Sequence, residues 1–258
     1  MAQIITGFHA IEEKLNYALE NGTNEGFSIK LSKTGPRIKK ILEVAKKSGI
    51  PVENTDSKTL DSLVKILPEV AREHRGIVLL TNEENTKAEN AIDFDQWILQ
   101  SKKEDSLQTV LILDSITDPH NVGAIIRSCD QFGVSLVVMP ERHSSNNFSE
   151  NEIIARSSAG ANVYVPIAIV KNLVRAVKSL KDADFWVYGA DAGGESVQKL
   201  KFPQKTAIVM GSEGSGISRL LKEECDSILS IPTCGKIDSL NVSVATGVLL
   251  YERYRQSL

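Results

Sequence analysis

Residues 207–216 read Ala207-Ile208-Val209-Met210-Gly211-Ser212-Glu213-Gly214-Ser215-Gly216, an apolar run that passes directly into a glycine-rich turn. The run predicts a short strand, and the glycines predict a turn whose backbone closely approaches another group. The glycine order is G-x-x-G-x-G, which differs from both the dinucleotide loop G-x-G-x-x-G and the phosphate loop G-x-x-x-x-G-K-[ST]. We therefore expect backbone N–H and C=O groups of this turn to face a flat ligand, with Glu213 as its only charge.

Similar apolar runs recur along the second part of the chain without polar alternation. Helical stretches or turns separate each run from the next. Uniformly apolar strands are typical of a parallel sheet that is covered on both faces. The sequence therefore predicts an α/β fold with a parallel sheet. Its predicted strands are 109–113, 136–139, 163–165, 185–188, 207–210 and 228–231.

The amino-terminal part of the chain alternates helical and strand-like patterns on a shorter rhythm. Helical periodicity covers 7–19 and 36–47, and strand-like runs occupy 27–31 and 76–80. A polar and acidic stretch follows. We predict three segments, which are a small α/β unit at 1–81, a linker at 82–105 and a larger α/β domain at 106–258.

The chain as a whole is not basic, but one segment of it has the charge expected of a nucleic-acid-binding surface. The chain has 258 residues and a formal net charge of −3 at pH 7, so bulk charge does not attract RNA. Between Lys30 and Lys47, seven basic residues stand against one acid, Glu43, which gives a local net charge of +6. This stretch suits either an RNA-facing surface or a solvated helix face. The basic residues are Lys30, Lys33, Arg37, Lys39, Lys40, Lys46 and Lys47.

Other residue patterns exclude several classes of protein. The 3 cysteines are scattered and odd in number, which argues against a disulfide framework. The 4 histidines fall in no metal-ligand spacing, so we expect no metal. No apolar run approaches the ~20 residues of a membrane span, and the amino terminus lacks the pattern of a signal peptide. We therefore predict a cytoplasmic location.

A second motif follows the predicted strand at 109–113. Asn121-Val122-Gly123 opens a predicted helix at 121–132, and Arg127 lies on that helix. At about 100° per residue, Arg127 points away from the apolar stripe of the helix. Its side chain is therefore free to reach a site or to form a surface ion pair.

A third motif, Ser239-Leu240-Asn241-Val242-Ser243, follows the predicted strand at 228–231 and opens a predicted helix at 239–255. Ser239 or Asp238 could serve only as the N-cap of this helix, and Glu213 could be only an acid at a helix start. Ligands of open parallel sheets gather beyond the carboxyl ends of the strands. Because all three motifs follow strands, we expect them to form one site.

Together the motifs resemble the three signature motifs of the SpoU/TrmH family of RNA ribose methyltransferases in the SPOUT superfamily. The segments 5–10 and 74–76 also resemble the RlmB-like subgroup, which modifies a guanosine of 23S ribosomal RNA. The family pattern D-x-x-x-D-P-x-N-x-G-x-x-x-R is matched by Asp114, Asp118, Pro119, Asn121, Gly123 and Arg127. The pattern G-x-E-x-x-G is matched by Gly211, Glu213 and Gly216, and S-L-N-V-S by 239–243.

The resemblance implies both the fold and the activity. It implies a ribosomal-protein-like RNA-binding domain, a methyltransferase domain with a deep carboxyl-terminal trefoil knot, and a homodimer that completes the active site. It also implies transfer of a methyl group from S-adenosylmethionine, without a metal, to a ribose 2′-hydroxyl of RNA, in this subgroup a guanosine of 23S rRNA. The implied cofactor-binding residues are Gly211, Gly216, Ile231, Leu240 and Ser243.

The implied catalytic residues are Arg127, Asn121, Ser239, Asn241 and Glu213. A guanidinium stays protonated at neutral pH, so Arg127 is a poor proton acceptor. Our hypothesis is that Arg127 binds the adjacent phosphate and stabilises the developing alkoxide, while Ser239 and Asn241 position the ribose. Glu213 either orders the glycine turn or contacts RNA.

Three other functions remain open from the sequence. A transfer-RNA ribose methyltransferase of the same family would share the motifs. A non-catalytic RNA-binding or ribosome-assembly protein would share the fold but would not need all five polar residues. A generic nucleotide-binding α/β enzyme would explain the glycine turn and leave the other two motifs unexplained.

Overall fold

The computed structural model describes residues 3–81, 91–141, 151–236 and 239–258. Packing divides the chain into two units. Unit 1 comprises Met1–Glu89 and Asn147–Tyr164, and unit 2 comprises Asn90–Asn146 and Val165–Leu258. The chain therefore enters unit 1 twice. No helix in the described ranges is long and apolar enough to cross a membrane.

Strands and helices alternate along the chain. The strands are β1 Gln3–Ile5, β2 Ser28–Leu31, β3 Val52–Asn54, β4 Ile77–Thr81, β5 Gln108–Leu113, β6 Leu136–Pro140, β7 Ile167–Val170, β8 Trp186–Ser196, β9 Lys205–Met210 and β10 Ser227–Ser230. The helices are α1 Phe8–Asn21, α2 Pro36–Lys47, α3 Ser57–Leu63, α4 Phe94–Ser101, α5 Pro119–Gln131, α6 Glu152–Ser157, α7 Leu173–Lys181, α8 Arg219–Glu224 and α9 Val242–Arg255.

Unit 1 is built on a four-stranded sheet in the order β1-β4-β2-β3. Strands β2 and β3 are parallel, and the other pairs are antiparallel. Successive residues of a strand point to opposite faces, and β4 shows this directly. Leu79 packs with Ile38 of α2 and with α1, whereas Val78 packs with Leu60 of α3. Helices α1 and α2 therefore cover one face of the sheet, and α3 covers the other.

The second pass of the chain through unit 1 packs on α1. The Tyr164 hydroxyl donates a hydrogen bond to Glu13 Oε2 at 2.8 Å. The ring of Tyr164 meets that of Tyr17 edge-on, with centroids 5.7 Å apart. Gly160 lies so close to α1 that an added Cβ would stand 2.5 Å from the Glu13 Cβ. These contacts explain why the described residues 151–164 belong to unit 1 by packing.

Unit 2 is a six-stranded sheet in the order β10-β8-β9-β5-β6-β7, and all of its pairs are parallel. All six residues of the central strand β5 are buried. The apolar cores of β5, β6 and β9 pack against helices such as α4 and α7. The predicted α/β class with a parallel sheet is confirmed, and five of its six predicted strands lie within or overlap β5, β6, β8, β9 and β10.

The predicted strand at 163–165 is wrong. Val163 ends a short 3-10 turn that follows Gly160, and Gly160 has a left-handed φ of 92°. The turn bends the chain before the apolar run can extend. The edge strand β7 begins only at Ile167, directly after Pro166.

Part of the predicted linker is a packed helix. Helix α4 begins after Asp93, whose side chain accepts a hydrogen bond from the Gln96 N–H at 2.8 Å. Phe94 and Ile98 of this helix lie in the core of unit 2. Asp93 caps the helix and Asp95 is exposed in its first turn, so the polarity of the stretch concealed the apolar face of the helix. Residues 82–90 of the predicted linker lie outside the described ranges.

Candidate functional site

The three motifs follow strands of the same parallel sheet. The second motif follows β5, the glycine turn follows β9 and the third motif follows β10. Strands β5 and β9 are neighbours, and β8 lies between β9 and β10. The carboxyl ends of parallel strands lie at one edge of a sheet, where ligands of such folds bind. The sheet topology therefore collects the motifs at one edge.

Glu213 connects the three motifs. Its Oε1 accepts hydrogen bonds from Asn241 Nδ2 at 2.6 Å, from Asn121 Nδ2 at 3.2 Å and from the Val242 N–H at 3.3 Å. Asn241 Nδ2 also donates to Asn121 Oδ1 at 3.0 Å. The two asparagines are 120 positions apart in the chain, so only the fold brings them together. We call Asn121, Glu213 and Asn241 the Glu213 network.

The alternative role of Glu213 as an acid at a helix start is wrong. Helix α8 begins at Arg219 with Ser218 as its N-cap, and no acid lies in its first turn. All hydrogen bonds of Glu213 go to Oε1, and Oε2 makes none with the described residues. One carboxylate oxygen thus joins the motifs, and Glu213 is otherwise exposed.

Asn241 is the N-cap of the final helix α9, and neither Ser239 nor Asp238 has that role. Its Oδ1 accepts hydrogen bonds from the backbone N–H groups of Ser243 at 3.0 Å and Val244 at 3.4 Å. The oxygen and nitrogen of a side-chain amide point in different directions. Because Asn241 Oδ1 accepts from the start of the helix, Asn241 Nδ2 points toward Glu213. The cap therefore fixes the orientation of the catalytic candidate. Asp238 lies outside the described residues.

The glycine turn is a tight hairpin, and two of its positions can be occupied only by glycine. Ser212 and Gly216 exchange backbone hydrogen bonds of 3.2 and 3.0 Å. A Cβ on Gly211 would lie 2.1 Å from the carbonyl carbon of Gly216, which leaves no space for a side chain. Gly214 has a φ of 98°, which side-chain-bearing residues rarely adopt. The turn therefore holds its backbone, and Glu213 at its tip, in one conformation.

Asp114 fixes the far end of the glycine turn. It is buried at the end of β5, and its Oδ2 accepts a 2.7 Å hydrogen bond from the Ser218 N–H. Its backbone N–H donates to the Met210 carbonyl at 2.8 Å. A buried carboxylate with hydrogen-bond partners is a strong local restraint. The first aspartate of the family pattern therefore has a structural role, which its sequence position alone did not reveal.

Seven predicted site residues lie outside the Glu213 network, and two of these, Gly211 and Gly216, belong to the glycine turn. Arg127 is exposed on α5 and forms no ion pair with the described residues, so the surface ion pair that its position also allowed is not formed. Arg127 lies six positions after Asn121, or about 9 Å along the helix axis. Ser239 and Leu240 are exposed, and Ile231 is half-buried. Ser243 is linked to the network through the Asn241 cap.

Sequence reasoning missed Asp191, which follows the β8 ladder beside the glycine turn. Asp191 Oδ2 lies 2.8 Å from Lys222 Nζ of α8 and 4.0 Å from the position a Cβ on Gly216 would take. The hydrogen bond from Lys222, followed by that from Gly193, holds the pKa of Asp191 below its usual value. The signal available in the sequence was Asp191-Ala192-Gly193-Gly194, an aspartate and two glycines after an apolar run.

The loops at this edge have the groups that an organic cofactor needs. Residues 233–236 lie between β10 and α9, and their backbone makes no hydrogen bond within the described chain. Leu240 exposes 38% of its surface beside them. Free backbone groups and apolar surface together suit a nucleoside-like molecule. Within the described ranges, no group of three or more His, Cys, Asp or Glu side chains could hold a metal ion.

Two family models match the chain. The model of the SpoU rRNA Methylase family matches residues 108–251, and that of RNA 2′-O ribose methyltransferase substrate binding matches residues 4–86. The first match contains all three motifs. The second covers most of the first pass through unit 1.

Relatives and solved structures agree with these matches. A relative from Borreliella burgdorferi, named an uncharacterized tRNA/rRNA methyltransferase, is 37% identical over 87% of this chain and 96% of its own. A TrmH family tRNA/rRNA methyltransferase of Staphylococcus aureus is 36% identical over 98% of this chain and 96% of its own. The AdoMet-bound rRNA methyltransferase of Sinorhizobium meliloti shares the fold, with a TM-score of 0.70 at 19% identity over 100% of this chain and 88% of its own. The chain therefore belongs to the SpoU rRNA methylase family of S-adenosylmethionine-dependent RNA methyltransferases.

Proposed function

We propose that this chain transfers a methyl group from S-adenosylmethionine to the 2′-hydroxyl of one ribose in RNA, and that the ribose belongs to a guanosine of 23S rRNA. The single observation that carries the site assignment is the Glu213 network, which joins the three family motifs through one carboxylate oxygen. A protein that only bound RNA would not need this arrangement at the edge of the sheet.

The residues at the sheet edge fit the cofactor. Gly211 and Gly216 present backbone groups without side chains, Leu240 presents apolar surface, and Ile231 and Ser243 begin the flanking segments. When bound, S-adenosylmethionine supplies an activated methyl group that needs no metal or covalent nucleophile. The chain must then align the ribose oxygen and exclude water.

Asn121 and Asn241 act as positioning groups for the ribose. Their amide nitrogens are held by Glu213, and the Asn241 oxygen is occupied by its helix cap. Three hydrogen bonds to Glu213 Oε1 hold the carboxylate and both asparagines in one arrangement. Ser239 is exposed at the same loop and is placed to contact the ribose or phosphate.

Arg127 binds a phosphate and stabilises the oxyanion that develops as the 2′-hydroxyl loses its proton. Its guanidinium is exposed and is not neutralised by any described carboxylate. Planar, permanently charged guanidinium groups bind phosphate through two hydrogen bonds. Because Arg127 lies outside the Glu213 network of its own chain, it is suited to serve the site of a second copy.

The exposed face of α9 supports a homodimer. Val244, Val248 and Tyr251 recur at helical spacing and expose 52%, 38% and 52% of their surface. Helix α5, which carries Arg127, packs against α9 where Phe132 meets Tyr251 at 5.9 Å between ring centroids. An apolar stripe of this kind suits a symmetric helical interface. The trefoil knot of the family and the cytoplasmic location remain predictions.

The outward face of α2 supports RNA binding by unit 1. This face lies opposite Ile38, which packs on the sheet, and spans an arc of about 120°. Its exposed lysines form no ion pair with the described residues, whereas Lys30 and Arg37 are paired with Glu53 and Glu12. Uncompensated lysines are suited to phosphate backbones. We call Lys39, Lys40, Lys46 and Lys47 the lysine face.

The substrate is tested by methyl transfer to different RNAs. Labelled S-adenosylmethionine is offered with large-subunit rRNA, small-subunit rRNA and tRNA, each lacking modifications. Incorporation at one site of large-subunit rRNA is the expected result. Incorporation only into tRNA would keep the chemistry and overturn the rRNA substrate. Assembling ribosomal particles serve as a further substrate if no naked RNA is methylated.

A further inference from the structure

Strand β8 contains a segment that has no paired residues on the neighbouring strand β10. Strand β10 pairs with β8 through Ile228 and Gly189, but the next pair is Leu229 and Glu195. Residues 190–194 therefore have no partner on β10 and form a bulge at the edge where the motifs gather. Because β8 lies between β9 and β10, this bulge stands between the glycine turn and the loop after β10.

Specific contacts hold the bulge at both ends. Ser230 Oγ donates a 2.9 Å hydrogen bond to the Gly194 carbonyl, and a Cβ on Gly194 would lie 2.6 Å from the Ile228 backbone. At the other end, Asp191 Oδ1 accepts from the Gly193 N–H at 3.2 Å, and Asp191 Oδ2 pairs with Lys222 Nζ at 2.8 Å. The bulge is therefore a defined element of the sheet edge.

The Asp191–Lys222 pair joins the bulge to the far side of the glycine turn. Lys222 lies in α8, which begins three residues after Gly216. Asp191 Oδ2 itself lies beside Gly216, whose φ of 65° suits glycine. The pair thus links two segments 31 positions apart that flank the same turn. The side chain of Asp191 is 32% exposed and that of Lys222 is 42% exposed, so the pair is partly shielded from solvent.

We propose that Asp191 and Lys222 are positioning residues that hold the bulge at 190–194 against the glycine turn, so that the bulge forms a third wall of the cofactor site. This inference rests on the proposed function. The pair acts through the backbone that it positions. It therefore determines how tightly the cofactor binds, and the methyl-transfer step at saturating cofactor does not depend on it.

A second ion pair on the same helix provides a matched control. Arg219 and Glu223 lie four residues apart on α8 at 2.6 Å, with 78% and 57% of their side chains exposed. This pair lies within one helix and touches no part of the bulge. Exposed pairs of this type contribute little beyond local helix stability.

The test measures cofactor affinity for four variants by isothermal titration calorimetry. Asp191→Asn keeps the hydrogen bond to Gly193 and removes the charge, Lys222→Met keeps the side-chain length, and Asp191→Lys/Lys222→Asp reverses the pair. Glu223→Gln is the control. Each protein is titrated with S-adenosylmethionine and with S-adenosylhomocysteine, which lacks the sulfonium charge. Methyl transfer to RNA is measured at saturating cofactor.

We expect each single variant to raise the Kd of both ligands about fivefold, within the range of partly exposed ion pairs. The reversed pair recovers most of the affinity, Glu223→Gln leaves it unchanged, and kcat stays within about twofold. Unchanged Kd values would overturn the inference. A higher Kd for S-adenosylmethionine alone would also overturn the inference, because Asp191 would then contact the sulfonium charge directly. If the unmodified protein binds neither ligand, the proposed function itself fails.

Discussion

The Glu213 network in unit 2 and the lysine face in unit 1 hold their polar groups in opposite ways. Each side chain of the network is fixed by hydrogen bonds to another motif, and the turn beneath it has no room for a side chain at Gly211. The side chains of the lysine face have no partner among the described residues. Chemistry on one ribose oxygen requires fixed geometry, whereas attraction of a phosphate backbone requires mainly charge.

The largest effect is expected from Gly211→Val. The new side chain would collide with the Gly216 backbone, so the turn must shift and move Glu213 with it. We expect methyl transfer to fall by roughly 10²-fold or more and the free energy of unfolding to fall by about 1–3 kcal/mol. Steady-state assays and thermal melts measure the two effects.

Gly35→Ala is the matched control in unit 1. Gly35 precedes α2 in extended backbone, and a Cβ there would meet nothing within 4 Å. Gly35 is also the N-cap of α2, where alanine is less favourable than glycine, so this variant should lower Tm slightly and keep full activity. Normal activity of Gly211→Val would show that the turn does not position the site.

Arg127→Lys gives the next largest effect. Lysine keeps the charge but loses the planar pair of donors, so we expect kcat to fall by on the order of 30-fold. Calorimetry should give an unchanged Kd for S-adenosylmethionine, because Arg127 lies outside the cofactor loops. Near-normal turnover would contradict a two-donor role for this guanidinium.

A smaller effect is expected from reversing the charge of the lysine face. Replacing its four lysines by glutamate should weaken RNA binding about tenfold at moderate salt. The slope of log K against log salt should flatten by roughly 3, since each phosphate contact contributes about 0.7–0.9. Binding is measured by fluorescence anisotropy at several salt concentrations, and cofactor affinity should not change.

The control for this surface lies on the opposite face of the same sheet. Lys58 of α3 and Lys65 beyond its end belong to the face that α1 and α2 do not cover. Lys58→Glu/Lys65→Glu should leave the affinity and its salt slope nearly unchanged. An equal loss in both variants would indicate that RNA responds only to the total charge of unit 1.

The smallest effect on stability in this series concerns the cap of α9. Asn241→Ala removes the acceptor for the Ser243 and Val244 N–H groups, and loss of such a cap costs about 1 kcal/mol. Chemical denaturation measures the loss. Ser239→Ala makes a useful comparison, since Ser239 does not cap the helix and its replacement should leave stability unchanged.

Much of the fold was predictable because apolar runs and motif order are local signals. The runs at 109–113 and 207–210 lie in β5 and β9, and the motif residues gather because parallel strands end at one edge. The strand predicted at 163–165 failed because the left-handed Gly160 determines the chain direction there. Periodicity cannot show such a backbone state.

The less predictable parts of the site depend on contacts between distant residues. Glu213 meets Asn121 across 92 positions, and Asp114 meets Ser218 across 104. Asp191 lies in the part of β8 that the register shift after Ile228 leaves unpaired with β10. No pattern within a single window of sequence contains that shift, so its role required the three-dimensional structure.

The central claim is that the three motifs build one site for ribose methylation, and the chemical nature of the product tests it most directly. RNA methylated by the protein is hydrolysed with alkali, which cannot cleave next to a ribose whose 2′-oxygen carries a methyl group. The account predicts that the label appears in an alkali-resistant dinucleotide, and that Gly211→Val loses this product while Gly35→Ala retains it. Label recovered in mononucleotides with a methylated base would contradict the account.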